Sequence, residues 1–156
     1  MLRRLLHALR TRPVELVTWW VVCLTQPRFL VTAVALLRAP DGRILLLENR
    51  FWAGNPWGCP SGYMRRGESP EDAAARECRE ECGVEASDLR VARVHAESPY
   101  RLEMWCTGTV PITEAPTDLQ SREILSAALL PPEEALRRMR SGQAAVVREL
   151  LKADGQ

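Results

Sequence analysis

Three glutamates in one short run, Glu77, Glu80 and Glu81, are the residues of this chain best placed to do chemistry. An α-helix advances about 100° per residue, so positions i, i+3 and i+4 fall on one face. Carboxylates crowded in that way repel one another, and the usual relief is a bound cation. A hard divalent cation is the kind that prefers carboxylate oxygens. Acidic helix faces are more often simply solvated and paired with basic residues, and Arg76 and Arg79 are on hand for that. The triplet alone leaves both readings open.

The helix that must position these acids is well marked. Ser69 is a natural N-cap with Pro70 at the first helical position, where a missing N–H costs nothing. Asp72, three residues on, resembles the second half of a capping box with Asp in place of Glu or Gln. Glu71 and Asp72 suit the positive end of the helix dipole. Gly83 can close the helix with a positive φ. Away from the glutamates, Ala74, Ala75, Cys78 and Cys82 form a narrow stripe suited to close packing on a sheet.

The surrounding pattern narrows the choice. Gly62, Glu68, Arg76, Glu77, Glu80, Glu81 and Gly83 stand at set spacings within the 23 residues from Gly62 to Val84. Seven such identities arise by chance on the order of once in 10⁸ windows. The stretch resembles the Nudix box at every fixed position, and Trp57-Gly58-Cys59-Pro60-Ser61-Gly62 is similar to that family's usual lead-in. Flanking strands extend the resemblance over residues 29–140.

The resemblance implies an α/β/α sandwich with a mixed sheet between helices, and metal-dependent hydrolysis of a diphosphate linkage. It implies Glu80 and Glu81 as principal Mg²⁺ or Mn²⁺ ligands, with Glu77 as a further ligand or the general base. The carbonyl of Ser61 falls where the family uses a backbone ligand, although a second Gly is usual there. Gly62, Glu68, Arg76 and Gly83 become supports that shape the loop and orient the ligands. Because some members draw the base from a later loop, Glu123 is a second candidate for it. Arg65 and Arg66 could contact phosphate, and Trp52 could stack on a base, with Tyr100 a further substrate contact. Trp57 reads better as a packing residue. Cys78, in a slot normally held by a larger aliphatic, and Arg65, at an often acidic position, depart from the pattern.

The substrate is less legible. Pro99 and Tyr100 occupy neighbouring places that mark two different Nudix groups, ADP-ribose pyrophosphatases and dinucleoside polyphosphate hydrolases. The lean is toward ADP-ribose or a nucleotide sugar, with a (d)NTP or dinucleoside polyphosphate as the alternative. A non-catalytic nucleotide sensor is the reading of another class, but such modules usually lose box glutamates, and here all are present.

Periodicity along the chain supports a mixed α and β fold. Phe29–Leu37 and Arg43–Asn49 read as a hairpin around Ala39-Pro40-Asp41-Gly42. Phe51–Ser61 reads as a loop, Leu89–Ala96 and Arg101–Val110 as strands, and Glu123–Leu130 as a further strand. A helix from the Pro131-Pro132 pair to about Arg140 and a last one over Ala144–Leu151 complete the expectation.

A chain of 156 residues has a one-domain length and room for a real core. The expected division is an extension, residues 1–27, and a catalytic domain, residues 28–156. A net charge of +1 gives no reason to expect a nucleic-acid partner, so the expected partner is a nucleotide-type small molecule. Five cysteines without a C-x-x-C pair, and only two histidines, argue against zinc and for reduced thiols in a cytoplasmic protein. The extension opens with Leu2, Leu5, Leu6 and Leu9 at helical spacing among Arg3, Arg4, Arg10 and Arg12, then turns strongly apolar from Val14 to Leu24. It reads first as a helix packed on the domain or on the mate in a homodimer, and second as a membrane-surface helix.

Overall fold

Strand β1 (Leu30–Arg38) is the one on which the rest of the chain is assembled. The computed structural model describes residues 2–154, and side chains over residues 14–153. Before β1 lies helix α1 (Leu2–Thr25), and after it β2 (Ile44–Asn49), two short strands β3 (Trp57–Gly58) and β4 (Ser61–Tyr63), and helix α2 (Pro70–Cys82). Then come β5 (Ser87–Ser98), β6 (Arg101–Thr109), β7 (Ile124–Leu130), α3 (Pro132–Arg138) and α4 (Ser141–Asp154).

β1 pairs with β6 in parallel along its whole length, from Leu30 opposite Arg101 to Arg38 opposite Thr109. On its other edge it pairs antiparallel with β4, Val34 opposite Ser61 and Thr32 opposite Tyr63, and meets β2 only at Arg38–Ile44. β7 and β3 both add to β2, and β5 closes the far edge beside β6. The sheet is therefore mixed.

Alternation along β1 divides the core into two layers. Ala33, Ala35 and Leu37 meet Ala73, Ala74, Cys78 and Cys82 of α2. Val34 and Leu36 join Trp105 and the residues Ala135, Met139, Val147 and Leu150 brought by α3, α4 and the turn between them. The result is the α/β/α sandwich that the sequence resemblance implied. The layers differ physically. A buried Leu or Val contributes about 1.5–3 kcal/mol, so the large-residue layer supplies most of the hydrophobic stabilisation. The Ala and Cys layer contributes less per residue, but it lets α2 approach β1 closely, which matters for the site.

Several details depart from expectation. β3 and β4 lie where a loop was expected, because strands of two and three residues are held by their partners rather than by propensity. In α2 the buried alanine pair is Ala73 and Ala74, while Ala75 is half-buried. The N-terminal stretch is one helix that continues through Pro13. The reading that it packs on the domain or on a mate falls partly outside the described side chains; from Val14 to Leu24 all of them are exposed except the half-buried Cys23. No helix among the described residues is long and apolar enough to cross a membrane.

Candidate active site

The box helix begins and ends on local chemistry. Ser69 sits in extended geometry and its Oγ accepts the N–H of Asp72 at 3.1 Å. Asp72 is one methylene shorter than the usual Glu, and its carboxylate takes the Ser69 hydroxyl at 2.7 Å instead of reaching the capping residue's N–H. Gly83 adopts φ 69°, and its N–H closes on the Arg79 carbonyl. Between these caps, burial of Ala74 and Cys78 turns Glu77, Glu80 and Glu81 toward β4 and the cavity beside it.

Arg76 organises the acids. Its Nε donates to Glu68 at 2.7 Å, one terminal nitrogen donates to Glu77 at 2.5 Å and Glu80 at 3.1 Å, and the other donates to Glu68 and to the Tyr63 carbonyl. The Arg76 guanidinium holds the Glu68 carboxyl down to about 2, with help from the Arg65 N–H. Arg65 also reaches Glu80, at 3.0 Å. Gly62 is required by close approach: a Cβ there would overlap the Glu77 carboxylate. The supporting roles expected for Gly62, Glu68 and Arg76 thus have a physical basis in contacts.

Glu81 stands apart from the arginines. Its carboxylate accepts the Ser61 N–H at 3.1 Å. Desolvation pushes its carboxyl up to about 8, and the nearby charges of Glu77 and Glu123 add to the push. An acid held that far above its usual range is short of positive charge, which a divalent cation would supply. Among the described residues no three acids form a ready-made cation cage. Glu77 and Glu80 are turned onto Arg76 and Arg65, so a cation must compete with two guanidinium groups for them. The donor set, all hard oxygens, fits Mg²⁺ or Mn²⁺.

Replacing Arg76 by Met is expected to reduce turnover roughly 10–100-fold, the usual cost of losing a ligand-orienting partner. Thermal melts should show a midpoint lower by several degrees at pH 7. Glu68 has its carboxyl depressed by Arg76, so its stabilisation is present above the unfolded value of 4.5 and lost as pH falls toward about 2. The gap between mutant and parent should therefore narrow below pH 4.5. A pH-independent gap would remove Glu68 from the explanation.

These groups line a cavity of about 740 Å³. Of the residues singled out in the sequence, Ser61, Gly62, Arg65, Arg76, Glu77, Glu80, Glu81, Trp52 and Glu123 all line it. Glu123 arrives just before β7, with its carbonyl accepting the Arg50 N–H at 2.8 Å. Trp52 carries the Arg140 guanidinium 4.7 Å over its ring. Trp57 lies outside, packed on the α3 and α4 layer beneath Arg138.

Two expected contacts are corrected. Arg66 is exposed and does not line the cavity, because the chain turns outward there toward Gly67 at φ 78°. Tyr100 occupies the tight turn between β5 and β6, 74% exposed, and its neighbour Arg101 points inward in its place. Several wall residues were not foreseen. Glu103 is 5% exposed, accepting Trp105 Nε1 at 3.0 Å and an Arg101 nitrogen at 3.2 Å. Gln143 is buried, with its amide oxygen taking the Cys59 N–H at 2.8 Å. The available signal was Arg101 and Glu103 at alternate positions of an otherwise apolar strand, since buried charge is the informative exception.

With this geometry in place, comparison with known proteins gives the class. The model of the NUDIX domain matches residues 28–150, and the chain belongs to the Nudix family. An uncharacterized Nudix hydrolase of Pseudomonas aeruginosa is 37% identical over 81 residues, 51% of this chain and 47% of that one. The chain thus spans about half the length of that relative. The solved NUDIX domain of Shewanella oneidensis NrtR, complexed with ADP ribose, superposes with a TM-score of 0.68 at 16% identity, covering 84% of this chain and 91% of that one. A NUDIX hydrolase from Nitrosomonas europaea gives 0.65 at 22% identity, covering 81% and 90%. At such identities these two similarities speak to the fold alone.

Proposed function

We propose that the protein is a divalent-metal-dependent pyrophosphohydrolase that cleaves the diphosphate linkage of a nucleoside diphosphate derivative. The observation that carries this is that Glu77, Glu80, Glu81 and Glu123 open into one cavity of about 740 Å³ that also holds an aromatic wall and a cationic one. That volume lies within the ~300–1,000 Å³ of small-molecule sites.

A Mg²⁺ or Mn²⁺ ion held by Glu77, Glu80 and Glu81, with the Ser61 carbonyl as a further ligand, would neutralise the diphosphate oxygens and polarise the phosphorus under attack. The chain's own residues do the rest. Glu123, on a loop outside the helix, is positioned to accept the proton of the attacking water. Arg76 and Glu68 hold the ligands in place. Trp52, with Arg140 across its ring, offers a flat surface for a base. At the other end, Arg101 Nε is buried without a hydrogen-bond partner, 3.4 Å from Glu97 in an ion pair. Arg101 between the Glu97 and Glu103 carboxylates gives this wall both donors and acceptors, which suits the hydroxyls of a second sugar, so we favour ADP-ribose or a nucleotide sugar. The structure of a Nudix domain with ADP ribose is compatible with that choice.

The test is turnover of ADP-ribose, nucleotide sugars, (d)NTPs and dinucleoside polyphosphates with and without Mg²⁺. AMP with a sugar phosphate is the expected product pair. A nucleoside monophosphate with inorganic diphosphate would shift the assignment to (d)NTPs. Tight binding of one compound without turnover of any would make the protein a sensor.

A further inference from the structure

We propose that α1 is a membrane-surface helix that docks the protein on an anionic lipid bilayer. From Val14 to Leu24 its apolar side chains are exposed on every side, and Trp19 and Trp20 are each exposed by 59%. A helix apolar all round, rather than along one stripe, fits an apolar medium better than a single protein face. Two of its hydroxyls are satisfied internally: Thr18 donates to the Val14 carbonyl and Thr25 to the Val21 carbonyl, both at 2.8 Å. The Arg28 guanidinium donates to the Cys23 carbonyl at the helix end. Glu15, at the start of the segment, is its one charged side chain, so little polar cost opposes insertion of Leu16 to Leu24. Trp side chains favour the boundary between headgroups and acyl chains, apolar in body and polar at the indole N–H.

Charge selects the occupant. The first half of the helix carries Arg3, Arg4, Arg10 and Arg12 in its sequence, and no acid precedes Glu15. A second copy would set that basic half against its own like, or against a segment whose one acid is Glu15. An anionic lipid surface supplies the missing negative charge along the whole basic half. The helix is 24 residues, about 36 Å long. Its apolar run, broken only by Thr18, is Leu16 to Leu24, less than half the roughly 20 residues a span requires. It therefore lies in the surface rather than crossing it.

The geometry also orients the cavity. Leu30, 57% exposed, starts β1 on the same sheet face as the cavity-lining Thr32 and Val34, and it pairs with Arg101. Only a short connection separates Leu30 from the end of α1. A docked helix holds the rim of the cavity close to the bilayer.

The experiment sediments the full chain with unilamellar vesicles of phosphatidylcholine alone, or of phosphatidylcholine and phosphatidylglycerol in equal parts. Pelleting is expected with the mixed vesicles, roughly tenfold or more above the neutral ones, and weakening as salt is raised. The double variant Leu16→Glu, Trp20→Glu should lose it while keeping the parent melting curve, because both side chains are exposed and belong to neither core layer. Failure of the parent chain to pellet above a vesicle-free control overturns the proposal. Equal pelleting with neutral vesicles, or full binding by the double variant, does the same. A dimer in solution that the double variant disperses, with no vesicle binding, would assign the face to a second copy and overturn it as well.

Discussion

Replacing Glu81 by Gln is expected to lower kcat on the order of 10³-fold, the scale of losing a main electrostatic contributor to the transition state. The same change should stabilise the metal-free protein at pH 8. Glu81 has its carboxyl raised to about 8, whereas the unfolded chain ionises near 4.5. Between those values the folded state keeps a proton that the unfolded state releases, so stability falls as pH rises through the window. Glutamine removes that dependence. The variant's melting midpoint should lie a few degrees above the parent's at pH 8 and match it near pH 4.5, since each kcal/mol moves a domain of this size about 2–4 °C. Mg²⁺ should raise the parent's midpoint at pH 8 and leave the variant's almost unmoved. Near-parental kcat in the variant would sink the metal-centre assignment. An unchanged melting profile would show that Glu81 is not held protonated.

The second large effect concerns Glu123. If it is the general base, Glu123→Gln should reduce kcat roughly 10²–10⁴-fold with little change in KM. The concentration of Mg²⁺ giving half-maximal rate should stay within a few-fold of the parent's. Glu77→Gln should behave differently if Glu77 is the metal ligand we propose: its Mg²⁺ requirement should rise along with the loss of rate. The pair of variants therefore separates base from ligand. Parental kcat in Glu123→Gln, with a large loss in Glu77→Gln at saturating Mg²⁺, would return the base to the helix.

The local parts of this site were readable before any fold was known. Ser69, Pro70 and Gly83 act within a few residues of themselves, so their capping roles follow from residue type and spacing. The same is true of Glu77, Glu80 and Glu81 sharing a face. The burial stripe was displaced by one alanine, because a helical wheel gives the angle of a residue but not the direction in which the sheet lies. Glu123, which lines the cavity, was a candidate through the resemblance rather than through local pattern. Arg66 and Tyr100 were misplaced for a common reason: each sits at a turn, where a single peptide decides whether a side chain faces the cavity or solvent. Arg101, one residue beyond Tyr100, faces inward by the alternation of β6.

What the sequence determined by itself was the helix, its caps, the shared face of its acids, and the alternation that divides the core. Those rest on interactions between residues close along the chain, whose geometry is nearly the same in any fold. Tertiary structure decided the far wall of the cavity. Glu103 and Arg101 reach it only because β6 runs parallel beside β1, and Gln143 only because α4 packs on the opposite layer. It also decided that Glu77 packs against Gly62 and that Glu68 reaches Arg76, and it left the side chains from Val14 to Leu24 exposed, Cys23 excepted. Such juxtapositions depend on strand order and register over tens of residues, for which neighbouring side chains carry no signal.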